Sequence, residues 1–197
     1  MVDFMYANID SVLSLNALTS YINLGGDDAV ACDIFSKIDR RFAVLKSYKN
    51  LKTTIVGAEL IDLALPNAEG EIIRVSDLCK SGKWVIIDFW ATWCGPCQKE
   101  LAEVQSTLWP KYKDNKDFVM LVIGREHTDA ELQKYNERKK FTFPLYPDPK
   151  REVFSLFAEQ SIPRVYLFGK DGKLIHSSIG YTEEEFQKLM DILKSIL

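Results

Sequence analysis

"WVIIDFWATWCGPCQKE", residues 84–100, opens as a near-continuous apolar run and closes on two cysteines separated by Gly-Pro. A run like 84–91 predicts a strand buried on both faces. Beyond it, Cys97, Leu101, Val104 and Leu108 recur on one face of a helix, which Pro110 is expected to kink or end. Cys94 therefore falls at the junction of strand and helix, at about the N-cap. Unpaired backbone N–H groups and the positive end of the helix dipole favour a thiolate there. The pKa drops below the value of about 8.5 for a free thiol, and the thiolate is the nucleophile. Pro96 suits an early helical position, where its missing N–H costs nothing. Cys97 lies one turn further in, facing back toward Cys94 and shielded, as a resolving thiol should be.

The pair could also be half of a metal site or an inert staple. A structural zinc site needs four ligands. Only one Cys pair exists, Cys32 and Cys79 are single and distant, and His127 and His176 have no partner at ligand spacing. A bridge across two residues closes a very short loop and removes little unfolded-state entropy, so it is a poor staple. The strand–CxxC–helix context favours the redox reading. Cys32 and Cys79 read as small core residues.

The flanking sequence predicts the layers around this motif. Residues 1–52 read as helical. Val12, Leu15, Leu18, Tyr21 and Ile22 form one stripe, "GGDD" (25–28) breaks it, and Ile34, Phe35, Ile38, Phe42 and Leu45 form a second. Two amphipathic helices must bury these stripes on the rest of the chain or on something outside it. From residue 53 the texture changes. "LIDLAL" (60–65) and "EIIRV" (71–75) flank "PNAEG", which suggests a hairpin. "FVMLVIG" (118–124) reads as another buried strand. "TDAE" (128–131) and "TEEE" (182–185) are capping boxes that open helices. "RVYLFG" (164–169), "KDGK" and "LIHSSIG" (174–180) form a second hairpin. The order βαβα, then hairpin and terminal helix, describes an α/β protein with a mixed sheet. The expected division is a helical segment, 1–52, and a domain, 53–197.

Several function classes are excluded. The formal charge of −3, with no block of Lys and Arg, leaves no electrostatic footprint for nucleic acid. Arg40-Arg41 and Lys139-Lys140 read as solvated helix faces. No apolar run approaches the ~20 residues of a membrane helix. The first basic residue is Lys37, so the positive region of a signal peptide is missing.

"VIIDFWATWCGPC" resembles the active-site segment of the thioredoxin superfamily. "VGAELIDLALPNAEGEIIRVSDL" and "FTFPLYPDPKREVFSLFAEQSIPRVYLFGKDGKLI" resemble the hairpin lead-in and the Pro-loop segment of its extracytoplasmic TlpA/ResA-like thiol–disulfide oxidoreductases. The likeness covers roughly residues 53–197. Ile61 stands where that branch often has Pro. Residues 1–52 resemble the stretch before the thioredoxin-like domain in larger members. Those members often carry a further N-terminal domain, a signal peptide and sometimes a lipid anchor, which makes this chain a candidate fragment.

The resemblance implies a thioredoxin-like fold with a mixed central sheet flanked by helices and a helical N-terminal extension. It implies Cys94 as nucleophile and Cys97 as resolving thiol, with no metal and no organic cofactor. The partners would be disulfide-containing protein substrates and an upstream dithiol donor, in the periplasm or another extracytoplasmic space. Asp88 would be a buried acid moving protons for Cys97, against the plainer reading of a strand-end Asp bonded to backbone. Glu100 matches an acid typical of the ResA-like branch, against a surface helix glutamate. Trp93 would form part of the docking surface, with Trp90 in the core. Pro163 matches the family's cis-proline, leaving the Ile162 backbone to pair with a substrate strand. Arg164 would bind an acidic partner, or else be a solvated strand-start residue.

Two other functions are weighed. Peroxiredoxins share the fold, but need a Thr three residues before their cysteine and a Pro earlier still, where this chain has Ala91 and Ile87. A binding or chaperone module, with residues 1–52 docking a partner, is compatible with the same scaffold.

Overall fold

The computed structural model describes residues 1–66 and 71–197. Its chain forms two compact units, Met1–Ala58 and Glu59–Leu197.

The first unit is helical throughout: α1 (Val2–Ala7), α2 (Val12–Asn23), α3 (Asp28–Lys37), a 3-10 turn (Arg40–Val44) and α4 (Lys46–Thr54). Ser11 and Asp27 cap α2 and α3 by accepting from Leu13 N and Val30 N. The second expected helix is broken at Ile38, which turns extended at ψ 137°. The Asp39 carboxylate draws the Arg41 N–H into a local bond of 2.8 Å, which competes with the helical ladder. Phe42 and Leu45 therefore belong to the 3-10 turn and its end, and α4 follows as a further helix. Within this unit α2 packs against α1, α3 and α4, and Leu15, Leu18, Ile34 and Leu51 are buried.

The second unit begins with a two-stranded antiparallel ribbon, β1 (Ala64–Pro66) and β2 (Ile72–Arg74), paired Leu65 to Ile73. The expected hairpin is present with shorter strands, and its turn lies outside the described residues. Then follow α5 (Val75–Lys80), β3 (Trp84–Trp90), α6 (Gly95–Glu103), a π-helical stretch (Val104–Leu108), α7 (Trp109–Tyr112), β4 (Phe118–Arg125), α8 (Asp129–Lys139), β5 (Leu145–Asp148), α9 (Phe154–Phe157), β6 (Arg164–Phe168), β7 (Leu174–Ile179) and α10 (Glu183–Ile196). The sheet order is β5-β4-β3-β6-β7. β4 runs parallel to β3 and to β5, while β6 is antiparallel to β3 and to β7. β3 is thus central, as its near-continuous apolar run predicts.

Two features depart from the expected order. β5 and α9 lie between the second helix and the last hairpin. β5 is four residues long and contains Pro147, which an edge strand tolerates because it has an unpaired side. Pro110 does not end the helix after the cysteines, which continues to Tyr112. It has no N–H for a bond four residues back, and the ladder just before it slips to five, with Trp109 N–H reaching Val104 O.

Side-chain alternation along β3 divides the core. Ile86 and Trp90 face an apolar cluster shared with Cys97 and Leu101 of α6, Leu132 and Tyr135 of α8, and Leu189 and Leu193 of α10. Phe89 points the other way, onto Phe154 and Phe157 of α9, with ring centroids 5.3 Å away in each case. The capping box at Thr128 forms in full and fixes the start of α8. At Thr182 the hydroxyl accepts from Glu185 N.

Candidate active site

β3 ends where the chemistry begins. Ala91 O accepts from Cys94 N at 3.1 Å, turning the chain into α6. Cys94 is the N-cap of α6, and its Sγ accepts from Cys97 N at 3.2 Å, so a backbone donor as well as the helix dipole points at this sulfur. Pro96 sits in the first turn. Cys94 and Cys97 are joined as a disulfide, with Cα atoms 5.3 Å apart. Cys94 keeps 6% of its surface exposed while Cys97 is fully buried, so an incoming group meets Cys94 first.

The opposite wall is the loop before β6. The Ile162–Pro163 bond is cis, and the Ile162 carbonyl oxygen lies 3.7 Å from Cys94 Sγ. Arg164 is turned onto its own loop: Nε donates to Gln160 O and Ser161 O at 3.1 and 3.0 Å, and Nη1 meets Tyr166 Oη at 3.4 Å. Its guanidinium holds the loop in shape, which neither a free solvated side chain nor a purely substrate-facing one would do. Trp93 is 60% exposed beside the nucleophile. The Arg125 guanidinium lies 5.7 Å from its ring and 4.7 Å from that of Phe154.

Two carboxyls, Asp88 of β3 and Glu100 of α6, are buried. Asp88 pairs in register with Val122 and Val165, both in the apolar cluster on the α6 side, and strand alternation places Asp88 on that face with Ile86 and Trp90. It is fully buried, and neither oxygen has a hydrogen-bond partner among the described residues. The strand-end Asp bonded to backbone is therefore not what the fold contains. Burial pushes its carboxyl up to about 7. Glu100, one turn after Cys97, is only 4% exposed and is not a surface glutamate. Burial first, and the charge of Asp88 second, hold its carboxyl well above the usual range. The charge of Asp88 thus raises the proton affinity of its buried neighbour Glu100.

The sequence reading missed the support of the Thr92–Trp93 segment. His127, weighed only as a metal ligand, is 6% exposed and reaches back to Thr92. Gln98 Nε2 donates to Thr92 O at 2.8 Å, and Lys139 Nζ donates to Gln98 Oε1 at 3.3 Å. No signal in the sequence joins residues 92 and 127; only the sheet brings them together. The remaining cysteines, Cys32 and Cys79, are free thiols. Cys79 is buried, and burial pushes its thiol to about 11. Cys32 is half-buried rather than core, donates to Val56 O at 3.2 Å, and is also raised by burial. Among the described residues no cluster of His, Cys, Asp and Glu could hold a metal ion, and no helix is long and apolar enough to cross a membrane.

Known proteins share this arrangement. A thiol–disulfide oxidoreductase ResA of Bacillus thuringiensis is 30% identical over 141 residues, 72% of this chain and 78% of that protein. The solution structure of a candidate protein disulfide isomerase from Bacteroides thetaiotaomicron superposes with a TM-score of 0.68 at 29% identity, covering 73% of this chain and 91% of that one. An exposed lipoprotein thioredoxin of Streptococcus pneumoniae matches with a TM-score of 0.56 at 25% identity, covering 68% of this chain and 99% of that one. The architecture is thioredoxin-like. The AhpC/TSA family profile matches residues 56–177, more than half of the sequence, and the chain belongs to that family.

Proposed function

We propose that this chain is a thiol–disulfide oxidoreductase that reduces disulfides of protein substrates. The observation that carries the reading is the Cys94–Cys97 pair itself: a sulfur at a helix N-cap, on a residue that keeps 6% of its surface exposed, bonded to a fully buried one. In the reduced protein the Cys94 thiolate attacks one sulfur of a substrate disulfide. The substrate S–S bond breaks, the leaving thiolate takes a proton, and a mixed disulfide forms through Cys94. Cys97 then gives up its proton, and its thiolate attacks Cys94 Sγ. The mixed disulfide breaks, the second substrate thiol is released, and the Cys94–Cys97 bond closes. Two electrons have passed to the substrate, and a dithiol donor upstream must return them. No metal or organic group is needed for either exchange.

Asp88 is proposed as the acceptor of the Cys97 proton, directly or through water, because a carboxyl raised to about 7 is poised for base catalysis near neutral pH. Glu100 tunes the same sulfurs from the helix. Trp93 and the Ile162–Pro163 loop would flank the bound substrate segment, with Arg164 keeping that loop in shape. Residues 53–197 would form the catalytic thioredoxin-like domain and residues 1–52 a separate helical segment. The resemblance to the ResA-like branch supports an extracytoplasmic, bacterial setting. The test is trapping. Cys97→Ser should accumulate mixed disulfides through Cys94 with a protein substrate, and Cys94→Ser should not. Equal trapping by both variants would sink the assignment of roles.

A further inference from the structure

We propose that His127 is a positioning residue for the exchange reaction: its neutral imidazole, accepting at Nε2, holds the Thr92–Trp93 segment that presents Cys94 to a protein substrate. The inference rests on the disulfide-reductase reading. Thr92 N lies 3.1 Å from His127 Nε2, and Thr92 Oγ1 lies 2.8 Å from the same atom. A backbone N–H can only donate, so Nε2 must be the unprotonated nitrogen and the hydrogen must sit on Nδ1. Nδ1 is buried and has no partner among the described residues, so the fold retains this tautomer without a bond on its far side. The ring rests near Trp90, with centroids 6.2 Å apart.

The position is built for closeness. Gly124 is the penultimate residue of β4, and a Cβ there would lie 2.6 Å from Leu132 Cδ2 and 3.4 Å from His127 Cβ. His127 N donates to Gly124 O at 3.2 Å. A side chain at 124 would press on Leu132, while His127 Cβ lies at ordinary contact distance. From the other side Gln98 of α6 donates to Thr92 O. The residue two before the nucleophile is thus held at its N–H, its hydroxyl and its carbonyl, and exposed Trp93 stands between that clamp and Cys94. Removing the Nε2 acceptor leaves a Thr92 N–H unpaired and frees the segment to shift. The loss should fall on encounters that use Trp93, hence on KM for a protein substrate more than on kcat.

The experiment compares wild type, His127→Leu and His127→Gln, reducing a protein disulfide at neutral pH. Gln has an acceptor at the same distance from Cα as Nε2. Leu should lower kcat/KM by about tenfold, mainly through KM, and Gln should recover most of it. Nitrogen NMR of the wild type should report His127 with Nδ1 protonated and Nε2 bare. A leucine variant as active as wild type, a Gln variant as impaired as Leu, or an Nε2–H tautomer would each overturn the proposal. The NMR measurement decides even where a variant fails to fold. A wild type that reduces no protein disulfide would instead overturn the reductase reading.

Discussion

Replacing Asp88 by Asn should stabilise the oxidised protein, by an amount that grows with pH. Burial raises this carboxyl from its ordinary 3.8 to about 7. Its folded value exceeds its unfolded one, so between the two the folded chain holds a proton that the unfolded chain has released. Stability from this group is full below about 3.8, falls as pH rises, and is lost by about 7. A rise from 3.8 to about 7, at roughly 1.36 kcal/mol per unit, corresponds to about 4 kcal/mol. Asn is neutral and close in shape to the protonated acid, so it carries no such term. Urea unfolding of both oxidised proteins from about pH 4 to about pH 8 is the assay, since neither Cys94 nor Cys97 titrates in that state. The variant should gain under about 1 kcal/mol at the acid end and about 4 kcal/mol at neutral pH and above. A difference that stays flat over the range would refute the reasoning. The same substitution should slow resolution of the mixed disulfide by about 10², the lower end of what a placed base contributes, and leave the initial attack by Cys94 less affected.

Glu100→Gln should slow resolution less than Asp88→Asn, because Gln resembles the protonated form that burial already favours; stopped-flow traces showing the larger loss at Glu100 would reverse the two assignments. The double substitution of Cys32 and Cys79 by Ala should retain disulfide reductase activity, since both thiols are raised by burial and neither joins the Cys94–Cys97 bond; loss of turnover in a folded double variant would point to a second redox pair.

The part of the fold that positions the disulfide was legible because it is written in long patterns. The run at 84–90 reads as a strand buried on both faces, and Cys94 follows it where strand gives way to helix. Short or interrupted patterns were not legible. β5 spans four residues with a proline among them, and the second N-terminal stripe keeps helical spacing across a break that the Asp39 side chain makes. The π-helical stretch depends on a hydrogen bond that Pro110 lacks, and composition gives no sign of where the ladder will slip. For the site, Glu100 was ambiguous because its helical face is shared between the core and its rim. His127 was opaque because its partner is a backbone N–H 35 residues away, a contact that only the β3–β4 pairing creates.

The two acids show why the unreadable part matters. An unpaired carboxyl between Val122 and Val165 is the kind of residue that a core selected for stability alone would replace. A penalty of about 4 kcal/mol at neutral pH is a large share of the 5–15 kcal/mol by which domains of this size are stable. In the proposed cycle the proton demand arises at Cys97, which is fully buried, as Asp88 is. The proposed acceptor of that proton accordingly lies inside, where solvent does not easily reach. Burial raises the acceptor until it exchanges protons near neutral pH, and Glu100 beside it makes a second negative charge costly. The pair thus takes up one proton readily and resists losing both. Resolution of the mixed disulfide, which releases one proton from one buried thiol, would find an acceptor of that capacity in the pair.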